Sequence, residues 1–151
     1  MIALAALFLL PAILHTPEPS MPFYDVVRHE RGFAVPVNAA SLEDVNNYWN
    51  HHLEYVKPTN NHWQTPEESL KRGTGSCRDF AVAKYYTLKQ QGYDVRRMKI
   101  TVVIWKDWVH AVLVVDGKIL DNMTDEIKDV SEVNDMFPLY SINEKSFWMA
   151  K

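Results

Sequence analysis

Mostly apolar side chains return three and four positions apart between residues 41 and 56, where Leu42, Val45, Tyr48, Trp49, His52 and Tyr55 follow helical spacing. Ser41-Leu42-Glu43-Asp44 in front of them has the spacing of a capping box. A helix over about residues 42–55 is predicted, closed by Lys57-Pro58 and Asn60-Asn61. Thr65-Pro66-Glu67-Glu68 opens a second helix, with a capping threonine, proline at the first helical position and an acidic first turn. Gly73 and Gly75 keep it short. Ser76-Cys77-Arg78-Asp79 opens a third, whose apolar face carries Phe80, Ala83 and Leu88 and which Gly92 stops.

Beyond Gly92 the period changes from helical to strand-like. MKITVVIW (98–105), WVHAVLVV (108–115) and KILDN (118–122) are rich in β-branched residues and separated by Lys106-Asp107 and Asp116-Gly117. The second pair is a strong hairpin turn signal. Residues 23–37 are mixed and turn-like, with at most a short strand. Helices first and an antiparallel sheet afterwards give the class α+β.

The amino end differs from the rest. MIALAALFLLPAIL carries no charge and is too short for a span of about 20 residues, yet it suits a signal-peptide core of about 7–15. No Lys or Arg precedes it and no clean A-x-A site follows; a buried or interfacial helix is the alternative. The expected organisation is a leader over 1–15, a linker and N-terminal extension over 16–40, and one domain over 41–151. Export to the periplasm or beyond is expected on this basis.

The chain has 151 residues, is 47% hydrophobic and has a net charge of -3, which suits one domain with a real core. Its Lys and Arg are scattered, so nothing favours nucleic-acid binding. It has a single cysteine, Cys77, so no internal disulfide can form.

That cysteine falls in the first turn of the third helix, where free amide N–H groups and the helix dipole favour a thiolate. A two-residue turn at Asp116-Gly117 pairs Val115 with Lys118, Val114 with Ile119, Leu113 with Leu120 and Val112 with Asp121. His110 then shares a face with Asp121, diagonal to it; a shift of one residue would separate them. A thiol, a base and a carboxylate to orient the base are what a cysteine nucleophile needs. The plainer alternatives are a core-filling thiol, a satisfied strand histidine and turn residues at Asp121-Asn122. Trp63 and Gln64 are further candidates, as donors to an oxyanion beside the Cys77 N–H; Trp63 is otherwise core, and Gln64 is better read as structural. His51, His52 and His62 suggest a metal site, but adjacent helical residues diverge by about 100°, which speaks against zinc.

The stretches VNNYWNHHLEYV, HWQTPEESLKRGTGSCRDFAVAKYYTLKQQGYD, HAVLVVDGKILDN and MFPLYSINEKSFW resemble the bacterial transglutaminase-like cysteine peptidases. The resemblance implies a papain-like α+β fold with Cys77 as nucleophile, His110 as base and Asp121 as its partner. It also implies a protein substrate, a surface adhesin by class, and a regulatory partner at the membrane. The family usually surrounds its cysteine with acidic residues, in a pattern like Gly-Asp-Cys-Glu-Asp linked to calcium. Here Gly75-Ser76-Cys77-Arg78-Asp79 retains only Asp79 and adds a guanidinium, which argues against calcium; no cofactor is expected. Peptide hydrolysis, acyl transfer to an amine by the same three residues, and a silent binding module of the same fold are the functions to separate.

Overall fold

A computed structural model of the chain describes residues 13–15, 21–37 and 41–150, the first three as backbone only. Most of the proposed leader and part of the linker lie outside the described residues. Among those described, no helix is long and apolar enough to cross a membrane.

The centre of the molecule is a seven-stranded sheet. Its strands are β1 (Ile13–His15), β4 (Met98–Trp105), β5 (Trp108–Val115), β6 (Lys118–Asp121), β7 (Thr124–Asp129), β8 (Met136–Ile142) and β9 (Phe147–Met149). They lie in the order β1-β9-β8-β4-β5-β6-β7, and every neighbouring pair is antiparallel. The helices are α1 (Pro22–His29), α2 (Leu42–His52), α3 (Pro66–Arg72) and α4 (Cys77–Gln90). Two short segments, β2 (Glu54–Tyr55) and β3 (Thr74–Gly75), pair in parallel beside them.

α4 is the organising element. Every residue from Asp79 to Leu88 is buried, so it is a central helix surrounded by protein and not an amphipathic surface one. Ile100, Val102, Ala111, Leu113 and Val115 from one sheet face join Phe80, Val82, Tyr85 and Leu88 of α4 in a single core with Trp49 of α2. Burying side chains of this size stabilises the fold by about 1.5–3 kcal/mol each. Val103, Val112, Val114 and Ile119 form a second, smaller core with Val130, Val133 and Met136, which close over them.

Three expectations need correction. Residues 22–29 form a helix where turns or a short strand were expected: Pro22 stands at its start, where a missing N–H costs nothing. Its Phe23, Tyr24 and Val26 are buried, so this part of the N-terminal extension belongs to the core. The first main helix ends at His52, and Tyr55 belongs to β2, paired with Gly75. The sheet also gains β1, β7, β8 and β9. β7 reads Thr-Asp-Glu-Ile-Lys-Asp, too polar to show a strand pattern. β8 contains Pro138, which a register shift between Val102 and Val103 accommodates.

Candidate active site

Cys77 is the first residue of α4, and the local sequence dictates how it gets there. Gly73, at φ 70°, ends α3 in the left-handed conformation. Gly75 then passes so close to α4 that a Cβ on it would come within 2.9 Å of the Asp79 Cβ. Asp79 ties the turn together: one carboxylate oxygen accepts from the Ser76 N–H at 2.9 Å and the Ser76 hydroxyl at 3.1 Å, and the other accepts from the Gln64 N–H at 2.8 Å. The thiol is therefore held at a helix N-terminus, partly exposed, beside amide N–H groups that lack intrahelical partners.

His110 and Asp121 come from neighbouring strands. Asp116 and Gly117, both at positive φ, form the two-residue turn, and the pairs Leu113–Leu120, Val114–Ile119 and Val115–Lys118 follow in the expected register. His110 Nε2 lies 2.8 Å from Asp121 Oδ1. The two residues are 6% and 7% exposed, so solvent barely screens the pair. Asp121 Oδ1 also accepts the Met123 N–H at 3.1 Å, which fixes the carboxylate from its own turn. With Nε2 given to Asp121, Nδ1 is the ring nitrogen left for the Cys77 thiol, which is near enough to raise the imidazole pKa. Burial pulls the imidazole pKa down, but the bond to Asp121 and the nearness of Cys77, with the charges of both, outweigh it and hold His110 at about 9. The Trp105 ring lies 5.7 Å away, centroid to centroid.

Trp63 sits in the main core with its ring 6.2 Å from that of Phe23. Gln64 is structural: its amide nitrogen donates to Ser69 Oγ and to the Thr74 carbonyl, both at 3.0 Å. The three candidate metal histidines go separate ways. His51 bonds Asp125 at 2.7 Å, His52 stacks on Tyr48 at 3.8 Å, and His62 bonds Glu68 at 2.8 Å.

The one acidic side chain in the Ser76–Asp79 turn is already engaged. Both Asp79 oxygens are taken by N–H and O–H donors. The Arg78 guanidinium donates to the carbonyl oxygens of Asn60 and His62, the kind of oxygens that a hard cation would use. No group of three or more His, Cys, Asp or Glu side chains gathers around a metal position among the described residues.

A largely apolar cavity of about 510 Å³ opens beside His110, walled by Tyr55, Pro58, Trp105, Trp108 and Met123, with Lys57 at its edge. Two residues that the sequence reading passed over, Asn50 and Lys84, lie behind Asp121. The available signal was a lysine in the row Phe80, Lys84, Leu88 on the apolar face of α4.

The model of the bacterial transglutaminase-like cysteine proteinases matches residues 27–150. LapG of Legionella pneumophila is similar in structure, with 32% identity over 73% of this chain and 67% of that one and a TM-score of 0.67. Its EGTA-treated form has 31% identity over 73% and 66%, with a TM-score of 0.69. Its calcium-bound form has 31% identity over 72% and 67%, with a TM-score of 0.67. The chain thus spans about two thirds of those proteins. No curated protein matches it.

Proposed function

The chain belongs to the bacterial transglutaminase-like cysteine proteinases, and on that premise we propose that it hydrolyses a peptide bond through Cys77, His110 and Asp121. The Cys77 thiolate attacks the carbonyl carbon and forms a C–S bond. The Cys77 backbone N–H faces the developing oxyanion. As the C–N bond breaks, His110 Nδ1 gives its proton to the leaving amine. Water then attacks the thioester, His110 takes the proton, and release of the acid restores the thiolate and imidazolium. Asp121 holds the ring and its charge throughout.

The leaving amine must lie on the His110 side of the thiol, because His110 protonates it. The polypeptide beyond the scissile bond therefore runs into the cavity walled by Tyr55, Trp105 and Trp108. We propose that the chain is exported, to the periplasm or beyond, on the strength of its apolar leader-like run, and that it acts on a protein substrate, a surface adhesin by class, on the strength of the family.

The observation that carries this reading is the His110 imidazole, bonded to a buried carboxylate and raised in pKa by that carboxylate and a helix-terminal thiol. Alkylation of the one cysteine by iodoacetamide across pH tests it. Cys77 should be alkylated readily at neutral pH, and His110→Ala should slow that reaction sharply. Equally slow alkylation of both proteins favours a silent module. Peptide products formed with a primary amine present separate hydrolysis from acyl transfer.

A further inference from the structure

Lys84 is 0% exposed, midway along α4. A buried ammonium is costly, and an apolar side chain of similar length would pack there at less cost. Stability therefore does not explain it, and its one hydrogen bond suggests what does. Lys84 Nζ donates to Asn50 Oδ1 at 2.7 Å. This settles which end of the Asn50 amide is oxygen. Asn50 Nδ2 then faces the other way and donates to the Asp121 carbonyl at 2.9 Å, with the Thr124 carbonyl and Asp125 Oδ1 each at 3.1 Å. These acceptors straddle the turn between β6 and β7, which carries the carboxylate bonded to His110. Without the Lys84 donor the Asn50 oxygen loses its partner on α4, and the amide is held from the turn side alone.

We propose that Lys84 is a positioning residue: through Asn50 it locks the turn after β6 and so holds the Asp121 carboxylate against His110. The inference rests on the assignment of Cys77, His110 and Asp121 made above. The titratable and charged groups around the clasp are Asp121 on β6, Asp125 on β7, His51 of α2 bonded to Asp125, and His110 on β5. The Phe80 ring covers Nζ from its own helix at 5.6 Å. Burial pushes the Lys84 amine down to about 7, although Asp121 and Asp125 oppose this. Near pH 9, where His110 loses its proton, Lys84 is already neutral and acts there as an N–H donor and not as a charge.

The test reads the alkaline limb of Cys77 alkylation, which reports loss of the imidazolium. In the intact chain it should fall near pH 9. In Lys84→Met and in Asn50→Ala it should move down by about one unit or more, toward the free imidazole value. The double variant should be no lower than the lower single, because both act through one path. Lys84→Gln, uncharged but still an N–H donor, should stay near the unmodified chain. A limb that remains near 9 in folded Asn50→Ala or Lys84→Met overturns the proposal, and circular dichroism establishes folding. Lys84→Gln falling as far as Lys84→Met overturns it too, since charge and not donation would then be responsible. If the unmodified chain shows no limb, or His110→Ala leaves the profile unchanged, it is the catalytic assignment that fails.

Discussion

On the proposed assignment, a single carboxylate decides whether His110 works as a base. The 2.8 Å bond to Asp121 is buried, and the anion it supplies keeps the ring cationic beside the thiol. Asp121→Asn keeps the shape and removes the charge. It should lower turnover by about 10²–10⁴-fold while the fold survives. The same variant should bring the alkaline limb down from about 9 toward the ordinary imidazole value of 6.5. Turnover and alkylation, each measured across pH, check the two halves. An unchanged profile would move the partner role to another residue, with Asn122 the first to test.

The first turn of α4 shows how an element is built to carry the proposed nucleophile. Asp79 satisfies three donors at once, and the nearby Gly75 has no room for a side chain. Asp79→Asn weakens the cap and leaves buried donors short of an acceptor, so it should cost about 2 kcal/mol in urea unfolding. Gly75→Ala should also destabilise, because the new Cβ meets the Asp79 Cβ and not a flexible side-chain end. Arg78 ties the carbonyls of Asn60 and His62 to the same turn. With a fixed guanidinium there and no free carboxylate, folding and activity should survive a calcium chelator. Calorimetric titration with calcium and thermal melts in chelator measure this. A tight isotherm or a collapsed melting temperature would show that other oxygens hold the ion.

At the scale of the molecule, two buried bases pull stability in opposite directions with pH. His110 is raised from 6.5 to about 9 on folding, so its contribution is complete below 6.5 and is lost as pH rises through 9. Lys84 is lowered from 10.5 to about 7, so its cost is complete below 7 and fades as pH rises toward 10.5. Between pH 7 and 9 the two slopes oppose each other, and stability should stay nearly flat. His110→Gln removes one slope, and stability should then rise by about 2 kcal/mol over that range. Lys84→Gln removes the other, and stability should fall by a similar amount. Urea midpoints at pH 7 and pH 9 give both signs.

Much of this design is written in local sequence. The capping residues Thr65 and Ser76, the Asp116-Gly117 turn and the alternation along β5 act between near neighbours, so they place Cys77 at a helix start and His110 across from Asp121. Membership of the family was legible too, because its residues are spread along most of the chain. Other features depend on what packs against what. Pro22 reads as a linker until Phe23 finds Trp63 and Tyr85. β7 and β8 lack a strand pattern because pairing with β6 and β4, and not their own composition, makes them strands. Arg78 reads only as a charge beside the thiol until its guanidinium meets the carbonyls of Asn60 and His62. Lys84 stands in the apolar row of α4 without a visible reason until Asn50, 34 residues earlier, meets it behind Asp121. The sequence by itself determined α2 to α4, the β4–β6 strands and the turn register, and it singled out the candidate reacting groups, through forces acting over a few residues. Only the tertiary structure decided which buried charges face one another, because desolvation and pairing act between residues distant in the chain.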